Sequence, residues 1–367
     1  MKITFILARA GLDGGIRVVA TYADLLKKRG HDVTVFSTPL RPLSFKQKVK
    51  SFLKDLKWPL QKQGPSHFDG LDVQHTIIDQ YRPITNDDVP DADVVIATWW
   101  ETAEWVNTFT ASKGKKVYFV QHHEVFPHLP IARVKATYAL PFHKITISNW
   151  LLEIMRNEYG DNNVSLVPNS VDHQRFNAPP REKQSIPTVG FMYSHAHFKG
   201  CDIIIEALNK ARQSIPELKI IAFGACEPST SLPLPPSTVY YLRPKQDTIP
   251  AIYSSCDFWI FGSRAEGFGL PLLEAMACRT PVIATTAGAA PDLLSSGSGI
   301  LLKENTAESM AQTIRSAFTI SNLEWQSMSE KGYKVATGYT WDNATDLFEK
   351  AISQNLIAKD SEQLYRN

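Results

Sequence analysis

Short apolar runs alternate with stretches of helical period along nearly the whole chain. Residues 2–7 are apolar and an AGLDGG turn follows. Over residues 16–29 the apolar positions Val18, Val19, Tyr22, Leu25 and Leu26 recur at helical spacing until Gly30 closes the stretch. Strand, glycine turn and helix open a doubly wound sheet. Further strands are predicted at 33–36, 93–97, 117–120 and 144–147, each apolar enough to be buried on both faces, as a parallel sheet requires. This series ends near residue 172. Residues 177–187 are rich in proline and charge, lack periodicity and read as a linker. A second series follows, with strands predicted at 188–192, 218–223, 239–242, 258–261 and 281–284 and helices at 202–213 and 271–277. The stretch 341–353 is amphipathic and is expected to be a helix packing back on the first domain. The prediction is therefore two Rossmann-like domains, 1–176 and 187–340, with a returning C-terminal helix at about 341–367.

Composition fits this and narrows the function. A chain of 367 residues exceeds one ordinary core. Apolar residues at 43%, charged residues at 21% and a net charge of +2 give no global attraction for nucleic acid. The four cysteines, Cys201, Cys226, Cys256 and Cys278, form no CxxC pair, which argues against a zinc site and a disulfide framework. The opening MKITFILARAG breaks at Arg9, too early for a signal-peptide core, and no apolar run approaches the roughly 18 residues of a membrane helix. A cytoplasmic protein is expected. Its charge is nonetheless uneven: residues 41–63 hold seven cations and one acid, net +6, which leaves −4 for the rest. Phe45, Val49, Phe52, Leu53, Leu56 and Leu60 share one helical face among those lysines, the profile of a helix lying on anionic lipid, although a face buried in the first domain fits equally.

A dinucleotide oxidoreductase is excluded by the first turn. Gly11, Gly14 and Gly15 lack the GxGxxG spacing, and Ser37 and Thr38 stand where a ribose-binding acid would be needed. The one DxD, Asp91 to Asp93, opens a buried strand and reads as turn residues, so no metal is expected.

The most informative stretch is GSRAEGFGLPLLEAMACRTPVIATTAG, residues 262–288. Gly267 and Gly269 flank Phe268, and Pro271 begins a helix, so a glycine loop feeds a helix amino terminus. Free amides and the positive helix pole there suit a diphosphate without a metal. Glu266 before the helix and Glu274 within it are acceptors for paired sugar hydroxyls. Taken singly, each reads first as an ordinary solvated acid near a helix start.

The string EGFGLPLLE resembles the E-x7-E signature of family 4 glycosyltransferases, a retaining group of the GT-B fold, and the likeness runs almost unbroken from Cys256 to Leu294. GGIRVVATYADLLKKRGHDVTVFS, ITISNW and VPNSVDHQRF resemble further landmarks in the family's order, the last with Ser170 where the family has glycine. The resemblance implies a two-domain GT-B enzyme moving a hexose from a nucleotide-diphosphate sugar, by default UDP-glucose, to a glycan or lipid-linked acceptor, without a cofactor. It implies that Glu266 binds the hexose, that the amides of Phe268, Gly269 and Leu270 hold diphosphate and hexose, and that Glu274 binds the ribose. Gly14 and Gly15 would let the first loop approach the phosphates, and residues 242–244, including Arg243, would lie beside the base. Lys199 in HFKG matches the phosphate-neutralising lysine. The arginine expected five residues earlier is Ser194, with Arg264, Arg243, His195 and His197 as available substitutes among which the sequence does not choose. His122 or His123 in QHHE matches a histidine near the donor sugar, while a hydrogen-bonded strand-end histidine is the plainer reading. A nucleotide-sugar epimerase, a phosphorylase, or a non-catalytic nucleotide-sugar-binding protein would share the shape.

Overall fold

The computed structural model describes residues 1–43, 45, 46, 49 and 63–364, with side chains described to residue 353. Most of the amphipathic segment 41–63, and with it the expected lipid-facing helix, lies outside the described residues. The chain divides into two units: Met1–Thr146, Leu152–Val167 and the stretch from Thr345 onward form the first, and Ile147–Leu151 with Pro168–Ala344 form the second.

In the first unit β1 (Lys2–Leu7), β2 (Asp32–Ser37), β3 (Gln74–Ile77), β4 (Val94–Ala97), β5 (Lys115–Val120), β6 (His143–Thr146) and β7 (Val164–Leu166) make a sheet in the order β3-β2-β1-β4-β5-β6-β7. In the second, β8 (Thr188–Tyr193), β9 (Lys219–Gly224), β10 (Val239–Leu242), β11 (Phe258–Phe261), β12 (Val282–Ala284) and β13 (Gly299–Leu301) run β10-β9-β8-β11-β12-β13. The strand pairs are parallel, from β1 on β2 to β12 on β13. The helices are α1 (Gly14–Lys28), α2 (Trp100–Asn107), α3 (Ile131–Tyr138), α4 (Asn149–Tyr159), α5 (Cys201–Arg212), α6 (Ile249–Ser254), α7 (Leu270–Ala277), α8 (Ala290–Leu294), α9 (Ala307–Thr319), α10 (Asn322–Gly338) and α11 (Trp341–Leu364). Both sheets are doubly wound, as expected, with strand order reversing at β1/β4 and at β8/β11. Ligands of such sheets bind beyond the carboxyl ends of the strands at that reversal.

The central strands are buried throughout, as with VVIA of β4 and FWIF of β11. Strands β3, β7 and β13, absent from the expected set, are edge strands of three or four residues without a fully buried position. Polar residues or a leading glycine leave these short edges no continuous apolar run, so their pattern is indistinct.

Residues 177–187, read from the sequence as a linker, are anchored to the second unit. The Arg181 guanidinium donates to the Cys256 carbonyl and to Thr280 Oγ1 at 3.0 Å, and lies 4.6 Å over the Trp325 ring. The Lys183 Nζ donates to the Ile320 carbonyl at 2.6 Å, and the Gln184 amide to Asp257 at 2.6 Å. Polar composition here reflects anchoring to buried carbonyls of the second unit. The change of unit falls between Val167 and Pro168.

In the first unit Phe348 of α11 is fully buried, stacked 4.3 Å from Tyr22 and edge-on to Phe119 at 5.2 Å. Arg29 pairs with Asp346 at 2.6 Å and Glu349 at 3.2 Å. Replacing Phe348 by alanine is expected to cost about 3–5 kcal/mol, the usual range for a buried phenylalanine. Chemical denaturation followed by a first-unit probe would register that as a lowered midpoint. An unchanged midpoint would remove α11 from the core.

Candidate functional site

Two loops meet at the β8/β11 reversal. The first, after β8, ends in a 3-10 turn at His197–Lys199 and closes on Gly200, whose φ of +64° is left-handed. The second, after β11, carries Ser263 to Gly269 into α7, with Gly269 at φ +101° as the residue before the helix. The loops touch backbone to backbone: a β-carbon on Gly200 would lie 1.9 Å from the Gly262 carbonyl oxygen. Arg264 stitches them together. Its amide donates to the Phe198 carbonyl at 2.8 Å, and its guanidinium donates to the His197 carbonyl at 2.8 Å and to both Asp202 carboxylate oxygens at 2.7 and 2.6 Å. The guanidinium holds the Asp202 carboxyl below its usual range.

This stitching delivers Lys199 to Glu266. The Lys199 Nζ lies 2.5 Å from Glu266 Oε1, which also accepts from Ser263 Oγ at 2.9 Å. Glu266 is 8% exposed and Glu274 6%, so neither is a solvated helix-start acid. Carboxylates at that depth are costly unless paired or hydrogen-bonded. For Glu266 the partners are an ammonium and a hydroxyl. Glu274 accepts from the Tyr253 hydroxyl at 2.9 Å, and Tyr253 is itself wedged edge-on against Trp259 at 4.5 Å. The loop between the acids is fixed from beneath. The Ala289 amide donates to the Phe268 carbonyl at 2.9 Å, and a β-carbon on Gly288 would meet that oxygen at 2.6 Å. Held so, the turn brings the chain into α7 at a helix end with no acid in its first turn.

Ser194 and the four residues named as substitutes for its missing cation differ in their surroundings. Ser194 turns its hydroxyl onto its own loop, accepting from the Ala196 amide at 3.2 Å. Arg264 is engaged by Asp202 and His197. Arg243, at φ +46°, donates its Nε–H to the Ala225 carbonyl, just beyond β9, at 2.9 Å. His195 and His197 are exposed at the loop surface.

The serine that replaces glycine in VPNSVD has a use. Ser170 Oγ donates to the Thr340 carbonyl at 2.9 Å, and His173 Nε2 donates to that of Tyr339 at 3.0 Å. The Tyr339 ring stands edge-on to Phe268 at 6.2 Å. The loop at 169–173 thereby supports the Gly267–Gly269 turn.

In the first unit Gly14 and Gly15 open α1, whose first turn contains no acid. Gly14 has open space around it and Gly15 faces the Gln121 amide, 3.5 Å from where a β-carbon would be. His122 and His123 follow β5. His122 Nδ1 donates to the His123 carbonyl at 3.0 Å, and His123 Nε2 lies 2.8 Å from the Tyr159 hydroxyl, with burial pushing that imidazole's pKa down. Asp91 and Asp93 are structural: Asp91 pairs with Lys113 at 3.0 Å and Asp93 accepts from the Lys2 amide at 2.7 Å. Among the described residues no three His, Cys, Asp or Glu side chains gather as metal ligands, and no helix is long and apolar enough to cross a membrane.

The sequence signal missed Tyr253, Ser263, Arg264 as a clamp, and Glu124. Tyr253, Arg264 and Glu124 bond to neighbours 21 to 62 positions away, contacts that a one-dimensional pattern does not register, while Ser263 bonds Glu266 three positions on and lies outside the string EGFGLPLLE.

Comparison with known proteins places these features in company. The family described as "Glycosyl transferases group 1" matches residues 172–335, and "Glycosyltransferase Family 4" matches 12–175. A D-inositol 3-phosphate glycosyltransferase of Salinispora arenicola is 27% identical over 198 residues, 48% of this chain and 44% of that one. An O-antigen chain mannosyltransferase B of Escherichia coli is 27% identical over 103 residues, 28% of this chain and 26% of that one. The chain thus spans less than half the length of the curated relatives it matches. Anabaena HepE, solved with UDP and glucose, superposes with a TM-score of 0.71 at 16% identity, over 96% of this chain and 99% of that one.

Proposed function

Since the chain belongs to the family 4-like glycosyltransferases, we propose that it is a metal-independent, retaining hexosyltransferase. Its donor in this reading is a nucleotide-diphosphate sugar, UDP-glucose or a close relative, and its acceptor is a glycan or lipid-linked sugar. The observation that carries the reading is the pair of buried acids on either side of a glycine-led helix start, one of them held by Lys199. An acid on each flank of an anion site matches a molecule built as sugar, diphosphate, ribose. UDP and glucose bound to the similarly folded HepE support the donor class, and the O-antigen and inositol-phosphate relatives support a polyol or glycan acceptor. A cytoplasmic setting, with residues 41–63 resting on anionic lipid, belongs to the same reading.

In the reaction the bond from the sugar's anomeric carbon to the diphosphate breaks as the acceptor oxygen bonds to that carbon on the same face. The acceptor's proton passes to the departing phosphate oxygen, and the nucleoside diphosphate leaves. Negative charge grows on the leaving group, so stabilising it is the main catalytic task. The amides of Phe268, Gly269 and Leu270 and the ammonium of Lys199 perform it. Glu266 orients the hexose, Glu274 the ribose, and Gly14 and Gly15 are the first unit's candidates for donor contact.

Calorimetric titration against a panel of nucleotide sugars, followed by donor-hydrolysis and transfer assays with and without EDTA, tests this. Binding of one UDP-hexose and turnover insensitive to the chelator are expected. Binding with neither hydrolysis nor transfer would leave a nucleotide-sugar-binding protein, and loss of turnover in EDTA would end the metal-free mechanism.

A further inference from the structure

Glu124, the last residue of QHHE, is 1% exposed, and no cation is among its partners in the described residues. Its Oε2 accepts from the Trp100 amide at the start of α2, at 2.9 Å, and from the Tyr118 hydroxyl of β5 at 3.4 Å. Its own amide donates to the Tyr138 hydroxyl of α3 at 2.8 Å, and that hydroxyl donates to the His122 carbonyl at 3.3 Å. The rings of Tyr118 and Tyr138 stack at 5.7 Å, and Tyr138 lies 5.0 Å from Tyr159, the partner of His123. His123 also faces Tyr138 at 5.5 Å. One buried acid and three phenols, from β5, α3, α4 and the loop after β5, thus form a connected cluster around the His122–His123 turn.

We propose that Glu124 is a positioning residue: it ties the His122–His123 turn to α2 and to the tyrosine cage, and it touches no substrate. The proposal rests on the reading that places these histidines at the donor sugar. The chemistry of the enclosure is unusual for a glutamate. Burial pushes the carboxyl's pKa well above its ordinary range, against the hydrogen bonds from the Trp100 amide and the Tyr118 hydroxyl, and the charge of Glu101 on α2 adds to the rise. The other groups that face it are hydrogen-bonding ones: the Trp100 amide, the Tyr118 and Tyr138 phenols, raised by burial, and the turn itself, where burial lowers His123. A raised folded-state pKa gives stability that is complete below the unfolded carboxyl value and is lost as pH climbs toward the folded value. Glutamine, isosteric with the neutral acid, carries no such dependence.

Wild type, Glu124→Gln, Glu124→Asp and the His122→Ala/His123→Ala double variant are compared in the full-length protein by thermal melting from pH 5 to 9 and by kcat and KM for the donor. The glutamine variant is expected to keep kcat within about threefold and to resist alkaline destabilisation better than wild type. The aspartate variant, one methylene short, is expected to lose on the order of 100-fold in kcat with a small change in KM, the size of loss that a misplacement of about 1 Å produces. A glutamine variant as impaired as the aspartate one, or an aspartate variant with wild-type kcat, overturns the proposal. A double variant with wild-type turnover overturns instead the placement of the histidines, and the melting data distinguish that outcome because they do not depend on it.

Discussion

Lys199→Met and Glu266→Gln are each expected to lower kcat by roughly 100- to 1,000-fold, the loss seen when one preorganised contact to developing transition-state charge is removed. The structure says why neither is a simple surface change. The Lys199 side chain is 22% exposed and that of Glu266 10%, so their 2.5 Å contact is largely sheltered from the solvent that makes exposed ion pairs worth little. Losing the lysine takes the ion-pair partner from Glu266 and leaves it the Ser263 hydroxyl. The glutamate would then be drawn toward solvent, and the hexose would lose its oriented acceptor. The two effects should be far from additive, because each side chain sets the other's position. A double variant no worse than the poorer single one is the expected pattern, read with melting temperatures to show that all three fold. Turnover at the wild-type level in both single variants would remove the pair from the chemistry.

Gly200→Ala is expected to be the most damaging single methyl in the second unit. Gly200 and Gly160 have almost the same φ, +64° and +66°, yet a β-carbon at Gly160 meets nothing within 4 Å while one at Gly200 lies 1.9 Å from the Gly262 carbonyl oxygen. Gly160→Ala therefore carries only the left-handed strain, about 1–2 kcal/mol. At Gly200 the methyl must also push the lysine turn off the loop that leads to α7. The obstacle is backbone that cannot swing aside, so the cost should exceed the Gly160 figure by at least about 2 kcal/mol, with donor binding lost as well. Equal melting temperatures for the two variants would mean that the loops do not abut.

Much of this was readable in the chain because strong local signals coincide with buried, central elements. The run FWIF and the string EGFGLPLLE locate β11, its loop and α7 nearly residue for residue, since a fully buried strand and a glycine-led helix start both have sequence signatures. Edge strands β3 and β7 escaped because polar residues interrupt QHTI and VSL, and β13 because GIL is three residues opening on glycine, whereas the equally short edge strand β10, VYYL, is apolar throughout. Depth escaped as well: nothing in the spacing of Glu266 and Glu274 separates a solvated acid from one at under a tenth exposure, and the deciding partners, Tyr253 and Lys199, lie 21 and 67 positions away. Arg264 was legible as a cation but not as a clamp, for the Asp202 that occupies it sits on another element.

The placement of Phe348 bears on how the molecule comes into being. Its ring completes an aromatic cluster whose other members, Phe5, Tyr22 and Phe119, are translated far earlier. Domains as a rule fold in order of their synthesis, the amino-terminal one first. Here that order is inverted for the final step. The stretch from Pro168 to Ala344 can bury its own interior while still near the ribosome, whereas the nascent first unit must wait with an open apolar seam until α11 arrives to seal it.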